Sequence, residues 1–277
     1  MTLAQALAAL EAEGLPRIEA QQLLLLALER DPHARSWLLT HDDQPLPPGA
    51  SARLQGLQQR HRSGEPMAYL RGEQAFFGLP LQVDARVLVP RPDTETLVQW
   101  ALDLLPELPP DAEVLDLGTG SGAIALALAS QRPSLQVTAT DASADALAVA
   151  QANADRLGLR LRFRQGAWLQ AVPGGRFHLI ASNPPYIAED DPHLQALGHE
   201  PRRALTAGLD GLDDLRTIVA QAPQALHPGG WLVLEHGHDQ AVAVQALLRA
   251  QGFGSVDGRT DLAGIVRCSG GRWPGAR

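Results

Sequence analysis

Four consecutive residues, Asn183-Pro184-Pro185-Tyr186, bring together a side-chain amide, two rigid rings and an aromatic face. They follow the apolar run Phe177-His178-Leu179-Ile180 and the pair Ala181-Ser182, which reads as a buried strand that stops abruptly at the prolines. Proline lacks an N–H and holds φ near about −65°, so the chain beyond Asn183 is stiff and extended. Such a corner leaves the Asn183 side-chain oxygen and the Pro184 carbonyl as fixed acceptors. Two acceptors facing one way suit a planar –NH2 group, and Tyr186 can cover its face. The same four residues would also serve as a rigid loop around a satisfied asparagine. A second motif argues for chemistry.

That motif is a strand, Glu113-Val114-Leu115-Asp116-Leu117, a loop, Gly118-Thr119-Gly120-Ser121-Gly122, and an apolar helix, Ala123 to Ser130. A strand, a glycine turn and a helix amino terminus form a cradle that lets backbone approach a nucleotide-like ligand. Gly118, Gly120 and Ala123 also fit the dinucleotide pattern G-x-G-x-x-A, so the loop alone is ambiguous. The next strand, Leu135 to Thr140, ends at Asp141, whose carboxylate suits ribose hydroxyls in either case. Asp116 discriminates. A carboxylate two residues before the first glycine is unfavourable beside a pyrophosphate but suits a ligand carrying an ammonium and a sulfonium, which is S-adenosyl-L-methionine. Trp168, beyond a third strand at Leu161-Arg162-Phe163, fits either an adenine face or plain core packing.

The elements that must position these groups alternate. After the first helix–strand units, a helix is expected over Leu212 to Leu226, a strand over Trp231 to Glu235 and a helix over Gln240 to Ala250. Ser255-Val256-Asp257 and Gly264 to Cys268 read as a closing pair, too close together for a helical crossover and therefore antiparallel at the sheet edge. Gly270 to Arg277 reads as a loose tail. Upstream, the chain is helical: Thr2 and Gln5 make a capping box, Leu3, Ala6, Leu7 and Leu10 form one stripe, and a helix after Pro16 is apolar nearly all round. Shorter helices are expected at Ser36 to Thr40 and Ala52 to His61, and His33, His41 and His61 read as ordinary surface or capping histidines. Leu79, Leu81 and Val83 alternate, a turn follows at Asp84-Ala85, and Val87-Leu88-Val89 returns, so a hairpin is expected there. Pro90-Arg91-Pro92-Asp93-Thr94-Glu95 then opens a helix, either as a plain cap or as a corner of the site. The expected organisation is a helical bundle over 1–75 that reads a partner, a β-hairpin linker over 76–90 and a catalytic domain over 91–277.

Composition narrows the options. A chain of 277 residues that is 45% apolar can fill one large domain and a smaller attachment. The net charge of −8 opposes a broad grip on nucleic acid. All 23 basic residues are arginine, which removes Schiff-base lysine chemistry and the P-loop lysine together. The single cysteine, Cys268, forms no disulfide within the chain and suits a reducing, cytoplasmic setting. No secretory leader or membrane span is read from the sequence. Glu235-His236-Gly237-His238 lacks the spacing of a helical zinc motif, so no metal is expected.

The pairing of Leu115-Asp116-Leu117-Gly118-Thr119-Gly120-Ser121-Gly122 with Ser182-Asn183-Pro184-Pro185-Tyr186-Ile187 resembles class I S-adenosylmethionine-dependent methyltransferases that act on amino groups. Gly64 to Leu70, Pro90 to Glu95 and Leu234-Glu235-His236-Gly237 narrow the resemblance to the peptide-chain release-factor glutamine N5-methyltransferases of bacteria, over nearly the whole chain. The resemblance implies an α/β fold, a Rossmann-like, mostly parallel seven-stranded sheet with an antiparallel last strand, plus a small N-terminal helical domain. It implies methyl transfer to the glutamine of the Gly-Gly-Gln motif of class I release factors, by a monomer with no stable nucleic acid or membrane partner. Cofactor contacts are expected at Asp116, Gly118, Thr119, Gly120, Ser121, Gly122, Asp141 and Trp168, with Asn183 shared. The glutamine falls to Asn183, Pro184, Pro185 and Tyr186, with Arg91 and Glu95 as further candidates and S-adenosyl-L-homocysteine as product. The sequence departs from the family at Ala167, where an acidic residue is common. Three rivals remain: a ribosomal-protein glutamine methyltransferase, an exocyclic-amine nucleic-acid methyltransferase and a non-enzymatic scaffold.

Overall fold

The computed structural model describes residues 1–275. The chain divides into two compact units, 1–72 and 73–277. The first holds α1 (Leu3–Ala12), α2 (Arg17–Ala27), α3 (Arg35–Thr40), α4 (Ala50–Arg62) and α5 (Met67–Arg71). The capping box forms as expected: the Thr2 hydroxyl accepts the Gln5 N–H at 3.2 Å and the Gln5 side chain accepts the Thr2 N–H at 2.9 Å. Leu3, Ala6 and Leu10 pack against Ala20, Leu23, Leu24, Leu25 and Ala27, which makes α2 the centre of the bundle. Ile18, at its first turn, stays exposed. His41 stacks on Trp37 and His61 sits 3.2 Å from Glu19, so both serve local structure.

The second unit opens with β1 (Glu73–Phe76) and β2 (Leu79–Gln82), an antiparallel hairpin. The sequence places the hairpin one strand too late. Phe76 pairs with Leu79 across a two-residue turn, Phe77-Gly78, in which both residues take positive φ (49° and 78°). That geometry matches strand twist and needs glycine at its second position. The Glu95 carboxylate accepts the Phe77 N–H at 2.8 Å and holds the strained residue. At 84–89 there is no return strand: Asp84 instead accepts the Arg86 N–H and ion-pairs its guanidinium, while Val87 and Val89 are buried singly.

The rest forms one sheet. Its strands are β3 (Glu113–Leu117), β4 (Gln136–Asp141), β5 (Arg162–Gln165), β6 (Phe177–Ser182), β7 (Leu226–Glu235), β8 (Gly254–Thr260) and β9 (Val266–Arg272). The helices are α6 (Thr94–Leu104), α7 (Ala123–Gln131), α8 (Ala144–Leu157), α9 (Asp213–Ala225) and α10 (Ala241–Gln251). The strand order is β5-β4-β3-β6-β7-β9-β8; β9 alone runs against its neighbours. The central strands read as continuous apolar runs because both faces are covered. Leu179, Ala181, Trp231 and Val233 meet α6 and α7 on one side, and Leu115, Leu117, Leu232 and Leu234 meet α9 and α10 on the other.

Two expectations at the carboxyl end need correction. The strand expected to begin at Trp231 begins at Leu226, with Pro228-Gly229-Gly230 inside it as a bulge where the register jumps from Phe177↔Leu226 to Leu179↔Trp231. Gly270 to Arg272 are not tail but strand, with Gly270 paired to Val233; a Cβ at Gly270 would meet Trp100 at 2.8 Å, so glycine is what lets β9 lie there. Trp273 packs on Phe253 with ring centroids 5.4 Å apart. The last two residues of the expected tail lie outside the described residues.

Candidate active site

The sheet register builds the site. Leu117 pairs with Thr140 on one side and Ser182 on the other, and Ser182 pairs in turn with Leu234. The residues that follow, Asp141, Gly118, Asn183 and Glu235, therefore stand abreast at the carboxyl ends of four strands. This is where the strand order reverses, the place at which open α/β sheets leave a crevice. The Ser182 hydroxyl locks the central pair by donating to the Leu117 carbonyl at 2.7 Å.

Two cavities open on this row. One, of about 270 Å³, is lined by Gly118, Gly120, Asp141, Trp168, Asp214 and Asn183 among others. The second, of about 330 Å³, is lined by Arg91, Pro184, Tyr186, Ile187 and again Asn183. Asn183, Leu88 and Ala204 belong to both walls. The glycine cradle and the double-proline corner thus share a boundary, and Asn183 is its polar residue.

The glycine loop is built to be closed on itself. Gly118, Gly120 and Gly122 take φ of 71°, 56° and 87°. Thr119 N–H donates to the Thr140 carbonyl, Gly122 N–H to the Thr119 carbonyl, and Gly120 N–H to the Asp141 carboxylate at 3.0 Å. With those donors consumed, the loop does not offer the row of free amides that a pyrophosphate requires. The dinucleotide reading loses its main support. Asp116 lies fully buried beneath the loop, where one carboxylate oxygen accepts from Thr119 (2.6 Å) and from the Ala125 N–H (3.2 Å). Its other oxygen has no partner. Burial pushes this carboxyl up to about 7 against those hydrogen bonds, which favour the charged form. A carboxyl group beneath the cradle opposes a phosphate, but Asp116, fully buried, is not itself part of the cavity wall.

Asp141 also accepts the Ser143 N–H at 2.8 Å, which orients it on the cavity wall. Trp168 holds a positive φ of 48° and lies against Gly118, where an added Cβ would meet the ring at 3.3 Å. Its indole N–H donates to Asp214 at 3.1 Å. Asp214, whose carboxyl burial raises, lines the same cavity and supplies an acid that the sequence lacks at Ala167.

Around the corner, Asn183 donates from Nδ2 to the Thr94 hydroxyl at 3.2 Å. Its Oδ1 and the Pro184 carbonyl accept from no group among the described residues. Tyr186 donates weakly to Glu235 at 3.5 Å, and burial raises its hydroxyl well above the ordinary value, so it stays neutral. Its carbonyl is held by Gln240 at 3.0 Å. Of the two candidates at the helix start, Arg91 lines the second cavity and ion-pairs with buried Glu200, whose other oxygen accepts the Val89 N–H at 3.0 Å. Glu95 is turned away to Phe77 and lines neither cavity. Thr94, Glu200, Asp214 and Glu235 are polar residues of this region that the sequence does not single out, although Thr94 falls in the Pro90 to Glu95 corner and Glu235 in the Leu234 to Gly237 stretch.

The Glu235-His236-Gly237-His238 stretch holds its histidine internally: His236 bonds the Gly237 carbonyl (2.9 Å) and the Ser269 hydroxyl (2.8 Å) through its two ring nitrogens. Glu113, His178 and His227 cluster at the opposite ends of the strands. There, His178 Nδ1 accepts the Glu113 N–H at 3.1 Å, which puts the proton of the neutral ring on Nε2. Among the described residues no helix is long and apolar enough to cross a membrane.

Known proteins resemble this chain over nearly its whole length. The PrmC N-terminal domain family matches residues 2–72, and the methyltransferase small domain family matches residues 100–256. A release factor glutamine methyltransferase of Burkholderia pseudomallei is 50% identical over 275 residues, spanning 96% of this chain and 95% of that protein. One from Xylella fastidiosa is 50% identical over 273 residues and spans 98% of each. The crystal structure of a methyltransferase from Pyrococcus furiosus superposes with a TM-score of 0.53 at 22% identity, over 80% of this chain and 99% of that one, and speaks for the fold alone. With half of its residues shared over almost its entire length, and the cradle and double-proline corner meeting at one asparagine, this chain belongs to the release factor glutamine methyltransferase family.

Proposed function

We propose that the protein transfers a methyl group from S-adenosyl-L-methionine to the side-chain amide nitrogen of the Gly-Gly-Gln glutamine in class I peptide chain release factors. The observation that carries this reading is the common wall of the two cavities: one polar side chain, Asn183, borders both. Asp116, Gly118 to Gly122, Asp141 and Trp168 would hold the cofactor, and Asn183, Pro184, Pro185 and Tyr186 the carboxamide, with Arg91 at the mouth. When bound, the cofactor supplies an electrophilic methyl group on a sulfonium and leaves as S-adenosyl-L-homocysteine.

The chain's own residues solve the nucleophile problem. An amide nitrogen is weak because its lone pair is delocalised into the carbonyl, and its proton is too weakly acidic for any side chain here to remove. Asn183 Oδ1 and the Pro184 carbonyl would accept both amide protons, raise electron density on nitrogen and fix its direction. Tyr186, neutral and anchored through its carbonyl by Gln240, would cover the amide plane. Holding reactants in one geometry supplies up to roughly 7–11 kcal/mol of barrier reduction.

The protein would act as a monomer in the cytoplasm without stable nucleic acid; the net charge of −8 and the single buried thiol support that reading. The bundle at 1–72 would read the release factor. Purified protein mixed with labelled cofactor and, in separate reactions, a release factor, ribosomal proteins, tRNA and DNA tests the whole reading. Label is expected in the release factor; label confined to ribosomal protein or nucleic acid would overturn it.

A further inference from the structure

The second cavity carries one charged side chain on its wall among the described residues, Arg91, set among Leu88, Ile187, Leu197, Leu205 and the double-proline corner. A guanidinium alone in such surroundings would draw in a carboxylate, which it meets through two parallel N–H bonds. Arg91 is not alone. Its Nη2 donates to Glu200 Oε1, and the Glu200 side chain, only 2% exposed, is set back from the wall and lines neither cavity. Glu200 Oε2 accepts the Val89 N–H at 3.0 Å. One buried carboxylate thus balances the arginine and ties down the backbone between Leu88, which borders both cavities, and Arg91. Methyl transfer as derived above gives Glu200 no part.

We propose that Glu200 is a specificity-determining residue: by balancing the charge of Arg91 it makes the second cavity take an uncharged carboxamide and refuse a carboxylate, glutamine over glutamate. This deepens the reading of that cavity as the glutamine site and rests on it. Glutamine and glutamate are nearly the same size, so shape does not separate them; protons and charge must. The carboxamide brings two N–H donors to Asn183 Oδ1 and the Pro184 carbonyl. A carboxylate brings none and sets oxygen against oxygen. An unbalanced Arg91 would offset that mismatch. With Glu200 behind it, an incoming carboxylate meets a cation already satisfied and a second anion close by, and the two acceptors decide.

The same pairing protects the nucleophile. A free cation beside the amide oxygen would pull the nitrogen lone pair further into the carbonyl and undo what the two acceptors do. Glu200 is fixed from two directions: one oxygen is engaged by the side chain it neutralises, the other by a backbone N–H 111 residues away in the chain. A buried ion pair contributes little net stability against two apolar residues of the same shape, so stability alone gives no account of it.

The test compares two ligands: a class I release factor, and the same factor with glutamate in place of the glutamine of Gly-Gly-Gln. Affinity for each is measured by calorimetry with S-adenosyl-L-homocysteine bound, so that no turnover intervenes. Wild type is expected to prefer the glutamine form, and Glu200→Gln, which keeps an oxygen for the Val89 N–H, to shrink that preference at least about tenfold. Adding Arg91→Met to Glu200→Gln is expected to restore it. A displaced loop weakens both ligands together and leaves their ratio alone, so a ratio unchanged in Glu200→Gln, or not restored by removing Arg91, overturns the role of Glu200. Should Glu200→Gln not fold, Arg91→Met at about pH 8.5 decides. Glu200 then stands without its counter-ion, and the preference for the glutamine form is expected to widen; an equal or narrower preference overturns the proposal. If wild type binds both forms alike, or neither, the reading of the cavity fails and the proposal with it. If wild type prefers glutamine and Glu200→Gln does so equally, only the role of Glu200 fails.

Discussion

Asn183 donates from Nδ2 to Thr94, its Oδ1 has no partner among the described residues, and the residue borders both cavities. Replacing it by alanine keeps the cradle intact and removes one of the two acceptors. Asn183→Ala is therefore expected to lower kcat by about 10²–10³-fold, the usual cost of one preorganised polar contact at a reacting centre, with cofactor Kd nearly unchanged. Isothermal titration beside a turnover assay separates the two. Trp168 should behave in the opposite way. Removing an aromatic face that covers Gly118 costs about 1–2 kcal/mol, so Trp168→Ala should weaken cofactor binding about tenfold and leave kcat at saturation close to wild type. At this scale the sequence is informative where one short segment carries the whole device. Asn183 with its prolines, and the glycines with Asp116, are contiguous and can be read directly. Thr94, Glu200 and Glu235 gain their meaning only from partners 49 to 111 residues away in the chain, separations no local pattern records.

The elements matter through register. Because Leu117 is opposite Ser182, the turn after β3 and the corner after β6 are neighbours without any long side chain having to bridge them. Two clamps keep the turns in place. Asn153 on α8 is fully buried, accepts the Gln82 N–H at 2.7 Å and donates to the carbonyls of Ser121 (2.9 Å) and Gln82 (3.0 Å), which ties the hairpin to the glycine loop. Asn153→Ala strands those groups and should cost about 1–3 kcal/mol in urea unfolding, with weaker cofactor binding. Gly211 is the second clamp. A Cβ there would lie 2.2 Å from the Tyr186 carbonyl, at a φ of 71°. Gly211→Ala must push the corner aside and should lower both stability, by about 1–3 kcal/mol, and kcat. Strand and helix identity was legible from period and glycine punctuation. The hairpin was misread because Leu79, Leu81 and Val83 alternate as a strand should, yet Phe77-Gly78 sets the turn before them; Gly270 to Arg272 read as tail because glycine-rich strands carry no alternation to recognise.

Across the molecule, two buried carboxyls, Asp116 and Glu235, both stand at about 7 because they are cut off from water. Each binds its proton more tightly folded than unfolded, so between their ordinary values near 4 and pH 7 the folded state holds more protons. Stability must then decline as pH rises through that window, the reverse of the usual carboxylate behaviour. Asp84 and Asp257, held low by their arginine and backbone partners, act in the opposite sense but only below their ordinary values, so the windows do not overlap. His178 and His236, both pushed below their ordinary values by burial, act in the opposite sense in the upper part of that window, so chemical denaturation reads the carboxyl contribution as a difference: the gain in unfolding free energy between pH 7.5 and pH 5 should be larger for wild type than for Asp116→Asn. The most direct test of the central claim is tandem mass spectrometry of an intact class I release factor incubated with S-adenosyl-L-methionine and either wild-type protein or Asn183→Ala. A single methyl on the side-chain amide of the Gly-Gly-Gln glutamine, formed by wild type and not by the variant, is the expected result. A methyl on another residue, or the same glutamine modified at equal rate by Asn183→Ala, would contradict it.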